Sequence, residues 1–199
     1  ELSSITPTKL NFNCQLQLFD VYGGQPTPDN FTVVVNPLSR SFDEGRGRDV
    51  VFYADNDVCN FNSGSRVQGA WLVSGCGLGG GSKETVDFIT ASSDNGTSFT
   101  STQTFVIGTE DLNVDVTNIV SATLANELSN NGFRIAFDES IEQDDRTYFV
   151  KRFASRTAYN AHKHPRLVVK YDDSIQDDTL NLVLDEANTI FYRNYVGRN

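Results

Sequence analysis

DLNVDVTNIVSA, residues 111–122, opens the segment that decides the fold of this chain. The segment continues with NNGFRIAF at residues 130–137 and closes with TYFVKRFASRTAYNAHKHPRLVVKYDDS at residues 147–174. Its first piece has apolar residues at helical spacing, whereas the later pieces alternate apolar and polar residues, as strands with one buried face do. The segment therefore predicts one helix among several short strands.

The helix is predicted over residues 117–128. Asp115 or Thr117 can accept hydrogen bonds from the free N–H groups at its start, and Gly132 after two asparagines supplies a left-handed stop. The apolar residues form one stripe, so we expect the helix to lie against an end of the sheets. These residues are Ile119, Val120, Leu124 and Leu128.

Strands are predicted on both sides of this helix. Strict alternation over residues 10–18 predicts the clearest strand, and FTVVV at residues 31–35 predicts a second strand that forms an antiparallel hairpin with the first. Asn95-Gly96 predicts another hairpin, whose return strand covers residues 99–107. Further strands are expected at residues 50–55, 133–137, 148–153 and 167–171, with a solvated loop at residues 138–146.

Composition narrows the class of protein. The 199-residue chain is 38% hydrophobic and rich in aromatic residues, threonine, asparagine and glycine, a mixture that favours strands and turns. The formal net charge of −10 argues against nucleic-acid binding, which requires clustered basic side chains. No run of the sequence approaches the about 18 apolar residues of a membrane helix. We therefore predict neither a nucleic-acid partner nor a membrane partner.

The strands and the helix together predict a mainly β chain with a jelly-roll-like β-sandwich and one short α-helix. We assign residues 1–174 to this domain. Residues 175–199 are predicted to be a linker followed by the start of another β domain, or alternatively by an extra strand packed on the first domain. Because the chain has no methionine, it is either processed or part of a longer protein, and we favour the latter.

Three cysteines, Cys14, Cys59 and Cys76, occur without the CxxC spacing of metal sites, and their number is odd. Neither a disulfide framework nor a zinc site is therefore predicted. We expect buried free thiols. A bridge between Cys59 and Cys76 stays open as the alternative.

In the order of its phrases, the segment 111–174 resembles the C-terminal half of a DNRLRE-type module, a carbohydrate-binding-like β-sandwich. The similar phrases are VDVTNIVSA, NNGFRIAF, YFVKRFASRT and HPRLVVKYDDS, and the likeness extends upstream to LQLFDVYGGQPTPDNFTVVVNPLSRSFDEGRGR. The chain is most similar to the version of this module in structural proteins of tailed-phage particles. Phe42 and Tyr171 stand where that version has tryptophan, and both keep an aromatic ring for packing.

The resemblance implies a non-enzymatic structural component of the virion, either a head decoration, a neck or tail protein, or a fibre-attachment protein. Its partners would be other virion proteins in a multi-copy assembly. The alternative is a carbohydrate-binding module of a host-recognition fibre or of a polysaccharide-degrading enzyme, with a host glycan as ligand. Candidate contact residues for a glycan or a partner are Tyr22, Tyr53, Tyr159 and Arg156.

No residue pattern indicates catalysis or a cofactor. There is no GxSxG elbow, no cysteine lies near a histidine in sequence, and 26 acidic residues give no means of selecting one carboxylate pair. We therefore predict a protein that is not an enzyme and has no cofactor. Trp71 is expected in the core, and the irregular residues 39–81 are expected to carry any contact surface.

Two kinds of polar cluster contain residue types that can bind a metal ion: a pair of histidines and several groups of acidic residues. His162 and His164 are expected to be an exposed pair without a metal ion, because no third ligand lies near them in sequence. Acidic clusters give candidate calcium ligands, although none has EF-hand spacing. These candidates are Asp55, Asp57, Asp172 and Asp173. We expect Arg152 and Arg156 to pair with Asp172, Asp173 or nearby carbonyls.

Overall fold

The computed structural model describes residues 12–24, 27–44, 58–67, 69–77, 86–146, 148–172 and 182–190. Within these residues, eight strands form three antiparallel sheets, and helix is scarce. The strands are β1 (Asn13–Leu18), β2 (Phe31–Pro37), β3 (Ser63–Ser65), β4 (Gly69–Ala70), β5 (Ser101–Phe105), β6 (Leu112–Asp115), β7 (Phe133–Phe137) and β8 (Arg166–Lys170). The α-helices are α1 (Thr117–Leu124) and α2 (Glu139–Glu142). The predicted mainly β class is confirmed.

Two three-stranded sheets carry the fold. We call the sheet with strand order β6-β1-β8 the first sheet, and the sheet with order β5-β2-β7 the second sheet. The predicted hairpin between residues 10–18 and 31–35 is wrong, because β1 and β2 are the central strands of different sheets. Each already has two neighbours, all of them distant in sequence.

One hydrophobic core contains side chains from both sheets. Alternate residues of the two central strands point into it, as the sequence alternation predicts. Phe31 of β2 stacks on Phe105 of β5 with ring centroids 4.9 Å apart. Burial of each large apolar side chain contributes roughly 1.5–3 kcal/mol. The core residues of the central strands are Cys14, Leu16, Leu18, Phe31, Val33 and Val35.

The predicted helix is confirmed and is shorter than expected. α1 begins at Thr117, whose backbone N–H donates to Asp115 Oδ1 at 2.8 Å. It ends at Leu124 rather than at residue 128, since Asn126 adopts a left-handed φ of 60°. Leu128 nevertheless remains in the core. The helix buries Ile119 and Val120 against the same core.

The segment 148–153 was expected to be a strand, and this prediction is wrong. Its residues alternate between exposed and half-buried, but only Phe153 forms an isolated bridge, with Asp20. Phe149 and Phe153 pack against the core. The end of the segment pairs only briefly with the residues that follow β1, through the bonds from Val21 N–H to the Arg152 carbonyl and from Ala154 N–H to the Phe19 carbonyl.

Other predicted elements appear with changed limits. The loop expected at residues 138–146 contains α2, whose first N–H groups bond to the side chain of Asp138. The turn at Asn95-Gly96 is present next to a bridge between Ala91 and Ser98. Its return strand, β5, pairs with β2. The strand expected at residues 50–55 and the domain boundary at residue 174 lie outside the described residues.

Trp71 is buried in a small second cluster with Leu38, Cys76 and Phe88, which confirms its predicted place in a core. Its indole N–H donates to the carbonyl of Asn60 at 3.0 Å. Of the helices that the structure describes, none is both long and apolar enough to cross a membrane.

Candidate functional site

Three loops meet at one end of the two sheets, around the amino group of Lys151. Nζ of Lys151 donates to Asp20 Oδ1 at 2.6 Å and to the carbonyls of Gly108 and Glu110 at 2.9 Å each. The Lys151 side chain is only 2% exposed. Its ammonium lies 4.9 Å from the ring centroid of Phe105. One buried cation therefore ties the loops at residues 19–22, 106–110 and 148–153 together.

These loops present a group of exposed apolar side chains that we call the apolar end. Each of its five members is between 57% and 86% exposed. A hollow of about 530 Å³ continues from it past Phe149 to Ile141. Exposed apolar side chains grouped on neighbouring loops commonly mark an interaction site. The apolar end consists of Tyr22, Val106, Ile107, Tyr148 and Val150.

Glu110 fixes the turn that presents two of these residues. Its Oε1 accepts the backbone N–H groups of Val106 at 2.7 Å and of Ile107 at 2.8 Å. Burial acts to raise the pKa of Glu110, but the backbone hydrogen bonds, including those from Ile107 and Val106, outweigh it and lower the pKa. The carboxylate therefore stays ionised at neutral pH and holds the turn.

A second concavity lies on the face of the second sheet that points away from the core. It encloses about 280 Å³ and is lined by Asn36, Thr100, Arg134 and Glu142, among others. Arg134 Nε donates to the Cys76 carbonyl at 2.7 Å, and its guanidinium carbon lies 4.3 Å from the centroid of the Phe88 ring. The amide of Asn36 donates to Thr100 Oγ1 at 2.9 Å. The hollow thus combines a cation, carboxylates and hydroxyls, a set able to bind a small polar ligand.

The candidate contact tyrosines that the structure describes are both exposed. Tyr22 belongs to the apolar end, and Tyr159 lies in the loop before the 3-10 helix Ala161–Lys163. Lys163 Nζ donates to the Asp20 carbonyl at 3.0 Å, so this loop lies near the loop of Tyr22. Tyr53, the third candidate, lies outside the described residues.

Arg156 is paired differently from the prediction. Its Nε lies 2.5 Å from Glu44 Oε1, whereas Asp172, Asp173 or carbonyls were the expected partners. The hydrogen bond to Glu44 and the charge of Glu44 raise the pKa of Arg156. Both side chains are more than half exposed. Arg156 therefore joins residue 44 to the segment before β8 and is committed to an ion pair on the surface.

The metal candidates are not brought together among the described residues, which contain no group of three or more His, Cys, Asp or Glu placed to hold a metal ion. Asp55, Asp57 and Asp173 lie outside the described residues, and Asp172 is half-buried. His164 is bonded through Nε2 to the carbonyl of Ala158 at 2.9 Å. His162 is exposed in the 3-10 helix rather than in a strand.

All three cysteines are free thiols, as expected, but only two of them are buried. Burial, followed by the charge of Asp115, raises the pKa of Cys14 to about 11. Burial is also the largest cause that raises the pKa of Cys76 to about 11. The prediction of a buried thiol is wrong for Cys59, which lies in an exposed turn.

Sequence reasoning missed Lys151, Glu110 and Arg134. The phase of the alternation could have revealed Lys151, because it occupies the buried phase between Phe149 and Phe153. A lysine at such a position needs a buried acceptor set. Glu110 and Arg134 give no comparable pattern, since their partners are backbone atoms close in space.

Comparisons with protein-family models, with curated proteins and with solved structures find no match for this chain. The resemblance to DNRLRE-type modules rests on the sequence phrases alone.

Proposed function

We propose that this chain is a non-enzymatic structural component of a tailed-phage virion that acts through protein–protein contacts. The observation that carries the proposal is the apolar end, where one buried lysine ties together three loops that expose apolar side chains. The order of the phrases in residues 111–174, which resembles modules of such particles, supports the same role. Head decoration, neck or tail, and fibre attachment are the positions that fit it.

The apolar end is preorganised for binding. The Lys151 bonds and the Glu110 carboxylate fix the loop backbones before any partner arrives. A surface that is already ordered loses less conformational entropy on association, so more of its contact energy appears as affinity. In a particle with many copies, modest contacts of this kind add up through avidity.

The proposal includes the finer fold, a jelly-roll-like β-sandwich with one short helix. Its support is the single core that receives side chains from both three-stranded sheets. An experimental structure of the full chain tests this fold, because a jelly roll requires further strands that continue the two sheets.

Particle composition tests the proposed role directly. Particles purified from the phage that encodes this chain should contain it at a fixed copy number, measured by quantitative mass spectrometry. Its absence from purified particles would contradict the proposal. A glycosidase or esterase activity that survives repurification and is lost on mutation of one carboxylate would contradict the non-enzymatic part.

Variants of the apolar end test the contact surface. Ile107→Asp places a charge on the apolar end and should lower incorporation into particles at least tenfold in a complementation assay. Val67→Asp is the matched control, since Val67 is 85% exposed but belongs to a different loop. Equal incorporation of both variants would exclude the apolar end as the contact.

The second candidate function, glycan binding on a host-recognition fibre, is favoured by two observations. Tyr22 and Tyr159 are exposed on neighbouring loops, and the hollow beside Arg134 offers hydrogen-bonding groups of both charges. Tyrosine rings can stack on sugars while charged groups bond to hydroxyls. A glycan array with the full chain tests this function. Binding that is lost in Tyr159→Ala supports it, and a blank array removes it.

A further inference from the structure

The two long sides of the paired sheets differ. On one side, the Gln103 side chain of β5 seals the edge of β6: Nε2 donates to the Asp111 carbonyl at 2.8 Å, and Oε1 accepts the Asn113 N–H at 2.6 Å. On the other side, β7 and β8 each pair with one neighbour within the described residues. An unpaired strand edge can pair with a strand from another chain.

The hydrogen bonds at the ends of β7 show which of its backbone groups point outward. The N–H of Leu38 donates to the carbonyl of Gly132, and the N–H of Asp138 donates to the carbonyl of Thr32. Antiparallel bonding alternates along a strand, so the even-numbered residues of β7 bond to β2. The backbone groups of Phe133, Ile135 and Phe137 therefore face the open side.

Only part of this edge is blocked. The N–H of Phe137 donates to Glu142 Oε1 at 3.0 Å, so the side chain of Glu142 caps the end of the edge. Ile135, at the centre of the strand, is 39% exposed. The free part of the edge thus has an apolar residue at its middle.

We propose that two copies of this chain associate through their β7 edges, in an antiparallel pair with the two Ile135 residues facing each other across a twofold axis. Such an isologous contact uses the same surface on both copies and closes after two of them. The two second sheets then form one continuous six-stranded sheet. The pairing is a property of the chain in solution and is independent of any place in a particle.

The sequence of β7 suits this register. With Ile135 on the axis, Phe133 lies opposite Phe137 of the second copy, so apolar residues meet apolar residues. The Phe137 N–H stays on Glu142, so the backbone bonds of the pair come from Ile135 and from the Phe133 N–H with the Phe137 carbonyl. On the face away from the core, Arg134 lies opposite Ala136 and diagonal to Asp138 of the second copy. Opposite charges on this face favour the register only at a distance, since Arg134 is held by the Cys76 carbonyl and Asp138 by the start of α2.

The sequence of β8 is less suited to pairing. Arg166 and Lys170 place one basic residue at each end of this strand, and basic residues commonly protect edge strands. In the register centred on Val168, these two like charges would also lie directly opposite each other, which destabilises an antiparallel pair. The ends of β7 are Phe133 and Phe137, so β7 is the edge that we expect to pair.

Sedimentation equilibrium of the full chain tests the proposal, over about 5 µM to 1 mM, the range of weak association. The average mass of the wild-type protein should rise from that of one chain towards that of two. Ile135→Lys places two lysines directly opposite each other, with Cα atoms about 5.5 Å apart, and should raise the dissociation constant at least tenfold. Leu167→Lys is the matched control, because Leu167 is 36% exposed on β8, and it should leave the association unchanged.

A crosslinking experiment fixes the register without relying on the charged variant. In a Cys59→Ser background, Ile135→Cys should form a disulfide-linked dimer with mild oxidation by oxidised glutathione, while Leu167→Cys should not. A wild-type chain that stays monomeric to 1 mM, or crosslinking through Leu167→Cys alone, would overturn the proposal.

Discussion

Lys151 Nζ and Asp20 Oδ1 are 2.6 Å apart, and the lysine side chain of this pair is 2% exposed whereas the aspartate side chain is 23% exposed. The lysine also donates to two backbone carbonyls, so all three of its N–H donors are satisfied. A buried ion pair brings little net stability when compared with apolar residues of equal shape, but the loss of one partner is costly. The role of Lys151 is therefore to hold the loops at residues 19–22, 106–110 and 148–153 in one arrangement, and its loss would be costly.

Lys151→Met should lower the free energy of unfolding by about 3 kcal/mol, because Asp20 and two carbonyls lose their shared donor. The partial exposure of Asp20 keeps the loss near the lower end of the range for buried pairs. Chemical denaturation at pH 7 measures it. Lys163→Met is the control, since this exposed lysine bonds only to the Asp20 carbonyl and should change stability by less than about 1 kcal/mol. Equal losses in the two variants would contradict the assigned role of Lys151.

The start of α1 should depend on pH through Asp115. Burial acts to raise the pKa of Asp115, but hydrogen bonds from Thr117 and Asn13 outweigh it and lower the pKa below its usual value. A carboxyl with a depressed pKa stabilises the fold above its unfolded pKa of about 4, and this contribution is lost as the pH falls through the folded pKa.

Asp115→Asn should therefore lower stability at pH 7, because the amide oxygen keeps an acceptor but the ionised carboxylate favoured by the Thr117 and Asn13 hydrogen bonds is lost. The difference between this variant and the wild type should shrink as the pH falls below about 4. Thermal unfolding at several pH values measures both curves. A difference that stays constant down to pH 2 would show that the ionised carboxylate is not the stabilising species.

The three thiols should react at very different rates. Cys14 and Cys76 are buried, with pKa values raised to about 11. Burial and the charge of Asp43 also raise the pKa of Cys59, so its faster reaction follows from its exposure. At pH 8, iodoacetamide should alkylate Cys59 in the native protein and leave the other two intact until denaturant is added. Peptide mapping by mass spectrometry identifies the modified residues. Early alkylation of Cys14 would show that β1 opens locally.

The sequence predicts local elements better than their partners. Alternation identifies β1 and β7, because one buried face per strand imposes a period of two residues, and apolar runs identify β2 and β8. It does not show that β1 and β2 belong to different sheets, since pairing depends on contacts between residues about a hundred positions apart, such as Leu16 with Val114. The same limit explains why the strand expected at residues 148–153 is absent.

The candidate contact residues show the same difference between local features, which the sequence predicts, and long-range contacts, which it does not. Aromatic residues in polar loops are readily predicted to be exposed, and Tyr22 and Tyr159 are. The Lys151 bonds that order the apolar end involve three separate loops. The pairing of Arg156 with Glu44 likewise joins residues 112 positions apart. Contacts of this length leave no periodic trace in a single sequence.

Gly108, in the loop that carries Val106 and Ile107 of the apolar end, should be hard to replace. Its φ is +79°, and a Cβ added there would lie 2.6 Å from the carbonyl oxygen of Pro28. Gly108→Ala combines left-handed strain of about 1–2 kcal/mol with a clash against backbone that costs a further 1–3 kcal/mol, roughly. The turn must move to relieve this clash, and the carbonyl that Lys151 binds moves with it.

Gly96→Ala separates the two effects, because Gly96 has a φ of +69° but open space around its added Cβ. This variant should lower the free energy of unfolding only by the backbone strain, about 1–2 kcal/mol. Chemical denaturation of both variants measures their free energies of unfolding. We expect the loss to be smaller for Gly96→Ala than for Gly108→Ala by at least about 1 kcal/mol. If Gly108→Ala is no worse, the loops of the apolar end can shift apart without loss. Their order around Lys151 would then be looser than the hydrogen bonds require.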